Sequence, residues 1–124
     1  MSHCKAVVTI STIQGYANGA YKTGLGLEEF TTELQRIEEN IFPDSSISWL
    51  IYPGKAVYKT AWGSPKGGED VFRLEADYTE YDKGTNIHDW KRNVFLHAEF
   101  LRTHFKQETV RVSFIDNVKT TVLR

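Results

Sequence analysis

The chain is short of the residues that build closed chemical sites. One cysteine, Cys4, stands in 124 residues, which excludes an internal disulfide and a zinc site made of cysteines. Net charge is scarce too. Fifteen basic and 16 acidic side chains leave −1, so no bulk field draws in nucleic acid or an anionic membrane. No apolar run approaches the roughly 18 residues of a spanning helix. The opening "MSHCKAVVTI" has no basic segment ahead of an apolar core and cleavage site. The expectation is a cytoplasmic protein that does not engage membranes. Repeats, low-complexity tracts and linkers are also missing. Residues 1–124 are therefore read as one domain, long enough to bury roughly two-thirds of its extended surface.

What is present is aromatic and periodic. "AVVTISTI", residues 6–13, is β-branched and short, a strand. From Leu27 the period changes: Leu27, Phe30, Leu34, Ile37 and Ile41 make one stripe on a helix. Glu28, Glu29, Glu33, Glu38 and Glu39 fall off that stripe, toward water. Pro43 stops the helix, because it restricts its predecessor and donates no N–H. "SISWLIY" (46–52) and "AVYKTAW" (56–62) read as two strands joined by a type II turn at Pro53-Gly54. "DVFRLEADY" (70–78) alternates Phe72, Leu74, Ala76 and Tyr78 against Arg73, Glu75 and Asp77, the pattern of a half-buried antiparallel strand. A second helix runs from about Asn86 to Phe105 on a stripe of Ile87, Trp90, Val94, Ala98, Leu101 and Phe105. "TVRVSFI" (109–115) is the last long strand, and "NVKTTVL" suggests a short edge strand after it. The order β-α-β-β-β-α-β predicts an α+β fold: an antiparallel-rich sheet with two helices on one face, a variant of the ferredoxin-like sandwich.

The connection "TIQGYANGAYKTGLGLEEF", residues 12–30, holds Gly15, Gly19, Gly24 and Gly26. It is not a phosphate cradle. In a P-loop the lysine follows a glycine and precedes Ser or Thr at fixed spacing, whereas here the order is Lys22-Thr23-Gly24. Glu28 and Glu29 occupy the first turn of the helix, where an anion would otherwise bind. Segment 14–26 is read as a long glycine-rich loop whose Tyr21 and Lys22 offer stacking and charge to a ligand.

Catalytic and metal signatures are sparse. His97 and His104 are about 10 Å apart along the second helix, too far to share an ion unaided, and no His-Glu-x-x-His or Gly-x-Ser-x-Gly pattern occurs. No metal and no cofactor are expected. Glu75 and Asp77 alternating with Arg73 read as a solvated strand face with cross-strand pairing. The cationic and aromatic residues Trp62, Trp90, Arg92, Arg102, His104 and Arg111, with Tyr21 and Lys22, are the candidate ligand-binding set, since arginine forks suit phosphate and carboxylate. Nothing resembles an RNA-binding aromatic motif, so nucleic acid is not the expected partner. Plotted at about 100° per residue, Leu96 and Phe100 fall roughly opposite the core stripe of the second helix. They are the candidate subunit interface, because a helix on one sheet should show water a polar back.

The segments "GLEEFTTEL", "FPDSSISW" and "LRTHFKQETVRV" resemble in layout the DUF3574 family of small bacterial proteins. The matching residues are Phe42, Pro43 and Asp44, then Phe105, Gln107, Glu108 and Val110. Ser45 departs from the family's usual glycine. The resemblance implies a fold rather than an activity.

The reading that follows is a non-enzymatic homo-oligomeric binding domain for a small anionic, nucleotide-like ligand or a protein partner, such as a sequestering protein of a mobile genetic element. The alternative is a small enzyme that moves protons at a subunit interface with His88 or His104 beside Asp89 or Glu108.

Overall fold

A computed structural model describes residues 3–13, 16–17, 20–21, 24–59, 61, 66–79 and 84–123. The elements are β1 (Cys4–Ile10), β2 (Tyr16–Ala17), β3 (Ala20–Tyr21), α1 (Leu27–Asn40), β4 (Leu50–Ala56), β5 (Glu69–Tyr78), α2 (Ile87–His104) and β6 (Arg111–Asp116). Four strands form one antiparallel sheet in the order β4-β5-β1-β6, and β2 and β3 pair as a separate small hairpin. Without that hairpin the order is β-α-β-β-α-β, the ferredoxin-like arrangement. No helix among the described residues is long and apolar enough to cross a membrane.

Alternation places the core. In β1, Cys4, Ala6, Val8 and Ile10 are buried while Lys5, Val7 and Thr9 are only partly covered. Register then carries that face across the sheet: Ala6 lies opposite Ala76 and Phe114, Val8 opposite Leu74 and Val112, Ile10 opposite Phe72. Both helices close on this face, α1 with Phe30, Leu34 and Ile37, α2 with Trp90, Val94, Ala98 and Leu101, all in one hydrophobic cluster. Phe30 stacks on Phe72 at 4.3 Å and tilts against Phe105 at 5.5 Å, tying α1, β5 and the end of α2 together. The opposite face carries an ion ladder, with Lys5 3.0 Å from Asp77 and Arg73 3.2 Å from Glu75, as the alternating charges of β5 implied.

Three expectations change. The strand expected over 56–62 is absent from residues 57–59, and β4 runs straight through Pro53-Gly54. The reason is position: β4 is an edge strand, where a proline need donate no ladder hydrogen bond. The chain instead returns through Gly67 and Gly68, at φ of 81° and 82°, a backbone that favours glycine. The middle of the chain is thus a hairpin rather than a three-stranded meander. Residues 117–123 form no strand. At the ends of the α1 stripe, Leu27 and Ile41 are 43% and 46% exposed.

The helix ends are built to specification. Asn86 caps α2 by accepting from the Asp89 amide at 2.8 Å, while its own amide donates to the Asp89 carboxylate at 3.0 Å. At the other end Lys106 takes φ 53°, Gln107 N–H bonds Arg102 C=O at 2.9 Å and Lys106 N–H bonds Thr103 C=O at 3.2 Å. That is a Schellman closure with lysine where glycine is usual. Replacing Phe30 with alanine should cost about 3–5 kcal/mol in urea unfolding, because three elements lose one shared ring. A loss below ~1 kcal/mol would show that the aromatic junction does not organise the core.

Candidate functional site

Strand directions collect the long connections at one end of the sheet. Ile10 pairs with Phe72 and Ala56 with Glu69, while Arg111 lies opposite Thr9. The exit of β1, the exit of β4, the entry of β5 and the entry of β6 therefore share one edge, called here the upper end. Residues 11–13 and 24–26, residues 57–59 and 66–68, the start of α1 and the end of α2 all belong to it. Long loops on a rigid scaffold are where binding groups concentrate.

The neck of the first loop is clamped. Leu25 N–H donates to Thr12 Oγ1 at 2.8 Å, and Ile13 N–H donates to Ser11 Oγ at 3.1 Å. Ser11 and Thr12 are each 7% exposed, so these hydroxyls satisfy backbone donors that burial would otherwise leave unpaired. The Schellman turn aims Gln107 into the same neck, where its amide donates to Ile13 C=O at 2.8 Å and Phe105 C=O at 3.0 Å. Gly24 is required for closeness here: a Cβ would lie 2.6 Å from Thr12 Oγ1 and 2.9 Å from Ile13 Cγ1. Across the upper end, the Tyr58 hydroxyl donates to the Glu69 carboxylate at 2.5 Å, and Lys55 pairs with Asp70. Phenol and carboxylates suit a ligand that brings hydroxyls, an aromatic ring or a positive charge.

The expected ligand set divides between the two ends. Arg102, His104 and Arg111 belong to the upper end, and Tyr21 lies in β3. Lys22, Trp62 and the side chain of Tyr21 lie outside the described residues. Trp90 is 1% exposed, a core residue packed edge-on against Tyr78 at 5.7 Å, so it has no surface to offer a ligand. Arg92 is exposed near the start of α2, at the lower end. Arg102 spends its guanidinium on Glu99, at 2.6 Å and 3.1 Å, and on Gln107 C=O at 3.4 Å.

Of the two histidines in the alternative reading, His104 pairs with a different carboxylate. His88 and Asp89 are exposed, Asp89 being engaged by Asn86. Glu108 is exposed too, while His104 Nε2 meets Glu33 Oε1 at 2.9 Å. A second pair joins the helices lower down. His97, 2% exposed, meets Glu38 Oε1 at 2.7 Å through Nδ1, and Trp49 Nε1 donates to the same oxygen at 2.8 Å. Phe42 stacks on His97 at 3.9 Å and meets Phe100 edge-on at 5.7 Å, and Phe100 stacks on His104 at 5.7 Å. Glu38 is thus only partly open to water, and Phe100 packs against Phe42 and His104 of its own chain. Reading each helix alone missed this seam. The two helices run antiparallel, so Glu33 meets His104 near the end of α2 and Glu38 meets His97 about two turns earlier. Among the described residues no group of three His, Cys, Asp or Glu could hold a metal ion. Cys4 is fully buried, and burial pushes its thiol above its usual range, which keeps it protonated.

A groove of about 310 Å³ lies beside the sheet between α2 and β6, lined by Phe95, Ala98, Glu99, Arg102, Val110 and Val112. Its one acid and one base neutralise each other.

No family model matches the chain, and no curated protein matches it in sequence. Among solved structures it is similar to a phage SAM lyase in complex with S-methyl-5'-thioadenosine, with a TM-score of 0.63 and 19% identity over 92% of this chain and 81% of that one. It is similar also to a phage SAM lyase in the apo state, with a TM-score of 0.61 and 21% identity over 91% of this chain and 79% of the other. At such identity the likeness establishes a shared fold.

Arg36, then His104, holds the Glu33 carboxyl below its ordinary value of 4.5. A depressed carboxyl pKa adds stability above the unfolded value and loses it as pH falls through the folded one. Unfolding free energy should therefore drop on acidification below about pH 4.5, and Glu33→Gln should flatten that limb by a few tenths to ~1 kcal/mol. Identical acid limbs in urea titrations of both proteins would show that the upper pair contributes nothing.

Proposed function

We propose that the protein binds S-adenosylmethionine or its thioether relative S-methyl-5'-thioadenosine at the upper end of the sheet, and that it acts on the sulfonium as a lyase. The observation that carries the reading is the match of nearly the whole chain, 92%, to a phage SAM lyase captured with S-methyl-5'-thioadenosine. The upper end supports it chemically. A sulfonium with an ammonium group seeks carboxylates and aromatic faces, and an adenine seeks a ring to stack on. Glu69, Asp70 and Tyr58 provide such groups on the scaffold itself. The anionic ligand expected from the arginines gives way to a cationic one.

The chemistry asks little of the protein beyond position. When the bond between sulfur and the aminobutyrate carbon breaks, its electron pair stays on sulfur and the sulfonium becomes a neutral thioether. The carbon left behind is satisfied within the same fragment, by its own carboxylate closing a ring. No water is added. A site that holds the sulfonium away from bulk solvent and fixes the chain in one conformer favours that step. Binding without cleavage is the sequestering function on the same site.

Incubation with S-adenosylmethionine, followed by liquid chromatography and mass spectrometry, decides the matter. The expected result is S-methyl-5'-thioadenosine in molar excess over protein, falling at least tenfold in Glu69→Gln. Saturable binding without product would replace the lyase with a sequestering protein. Neither heat of binding nor product would overturn both.

A further inference from the structure

Gln107 spends its side chain on the far end of the chain. Its amide donates to Ile13 C=O, 94 residues away in sequence, and to Phe105 C=O beside it. An amide nitrogen carries two N–H groups, and both are engaged. The two carbonyl acceptors also decide which way the amide faces, since they would repel its own oxygen. Ile13 stands beyond the β1 ladder, whose last rung with β5 is Ile10 opposite Phe72, yet it is buried. A buried carbonyl outside a ladder needs a donor from elsewhere, and Gln107 supplies it. The reach depends on the backbone. Lys106 at φ 53° turns the chain back. Gln107 N–H is held by Arg102 C=O, and Gln107 C=O accepts from the Arg102 guanidinium. The side chain thus leaves a turn that is fixed on both sides of its own peptide group. It meets a neck in which Thr12 Oγ1 already holds Leu25 N–H and no Cβ fits at Gly24.

We infer that Gln107 is a positioning residue for the ligand end of the sheet, a role that rests on the ligand reading proposed above. It acts through Ile13. By tying the β1 exit to the close of α2, it keeps Thr12 and Leu25 in one geometry before a ligand arrives. A site already held in its bound form loses less freedom on binding. With the tether cut, binding must also order residues 11–13, and affinity falls. The donor matters here rather than the volume, because the acceptor is a backbone carbonyl that no neighbouring strand satisfies.

Isothermal titration with S-methyl-5'-thioadenosine, paired with urea unfolding, tests this role. Gln107→Met keeps much of the length and removes both donors. It should weaken binding about tenfold, the scale of one buried hydrogen bond. Gln107→Lys, whose ammonium again offers N–H groups to Ile13 C=O, should recover most of that loss. Asn86→Ala removes the cap of α2 at the lower end and lowers stability. Its affinity should match the wild type, which separates position from a general loss of stability. A wild-type chain that binds while Gln107→Met binds equally well overturns the positioning role and leaves the ligand reading standing. So does an equal loss in Asn86→Ala, or a lysine variant no better than the methionine one. A wild-type chain that gives no heat of binding overturns the ligand reading, and this role with it.

Discussion

The position of β1 between β5 and β6 constrains everything else. With neighbours on both sides, its alternate side chains can point only into the layer under the helices or onto the open face. Cys4, Ala6, Val8 and Ile10 are all at 0–1% exposure. Both helices descend on that one face, where the buried hydrocarbon is continuous across the strands. Because β5 and β6 both run against β1, the exits and entries that need long connections fall at the same edge. The candidate site lies at that edge by strand direction, before any side chain is considered.

The helices meet each other through more than hydrocarbon. Two histidine–glutamate pairs and a column of aromatic rings run along the seam between α1 and α2. A buried imidazole with one nitrogen on a carboxylate has a fixed ring orientation, and removing the carboxylate would leave Trp49 and His97 donors unpaired in the interior, a cost of about 1–3 kcal/mol for each. Polar contacts of this kind set how the helices register more sharply than apolar packing does. The same register brings His104 and the Schellman turn to the upper end, and with them Gln107 into the neck of the first loop. Helix packing, loop closure and site geometry are thus one chain of contacts.

Much of the architecture was legible in the sequence, because two periods are hard to mistake. The alternation of 70–78 identified β5 and its inward residues, and the 3-and-4 spacing of Phe30, Leu34 and Ile37 identified the buried face of α1. Pro53-Gly54 misled, since a proline followed by glycine signals a turn unless the strand lies at an edge, and edge position is a property of the sheet. Sites were harder to see. Trp90 reads as a stacking platform only until its place on the core stripe is weighed. His97 and Glu38 pair across 59 residues, and no local pattern encodes a contact between helices. The back of α2 was seen to be too apolar at Leu96, which is 51% exposed, while Phe95 beside it rests 5.3 Å from Phe114.

The likeness to a lyase holding a thioadenosine and the gathering of loops at one end make a joint claim about place. Hydrogen exchange with and without S-methyl-5'-thioadenosine measures that most directly. Slowed exchange in segments 11–26 and 57–70, with 41–49 and 79–86 unchanged, is the outcome this account predicts. Protection confined to the lower end, or none at saturating ligand, would contradict it.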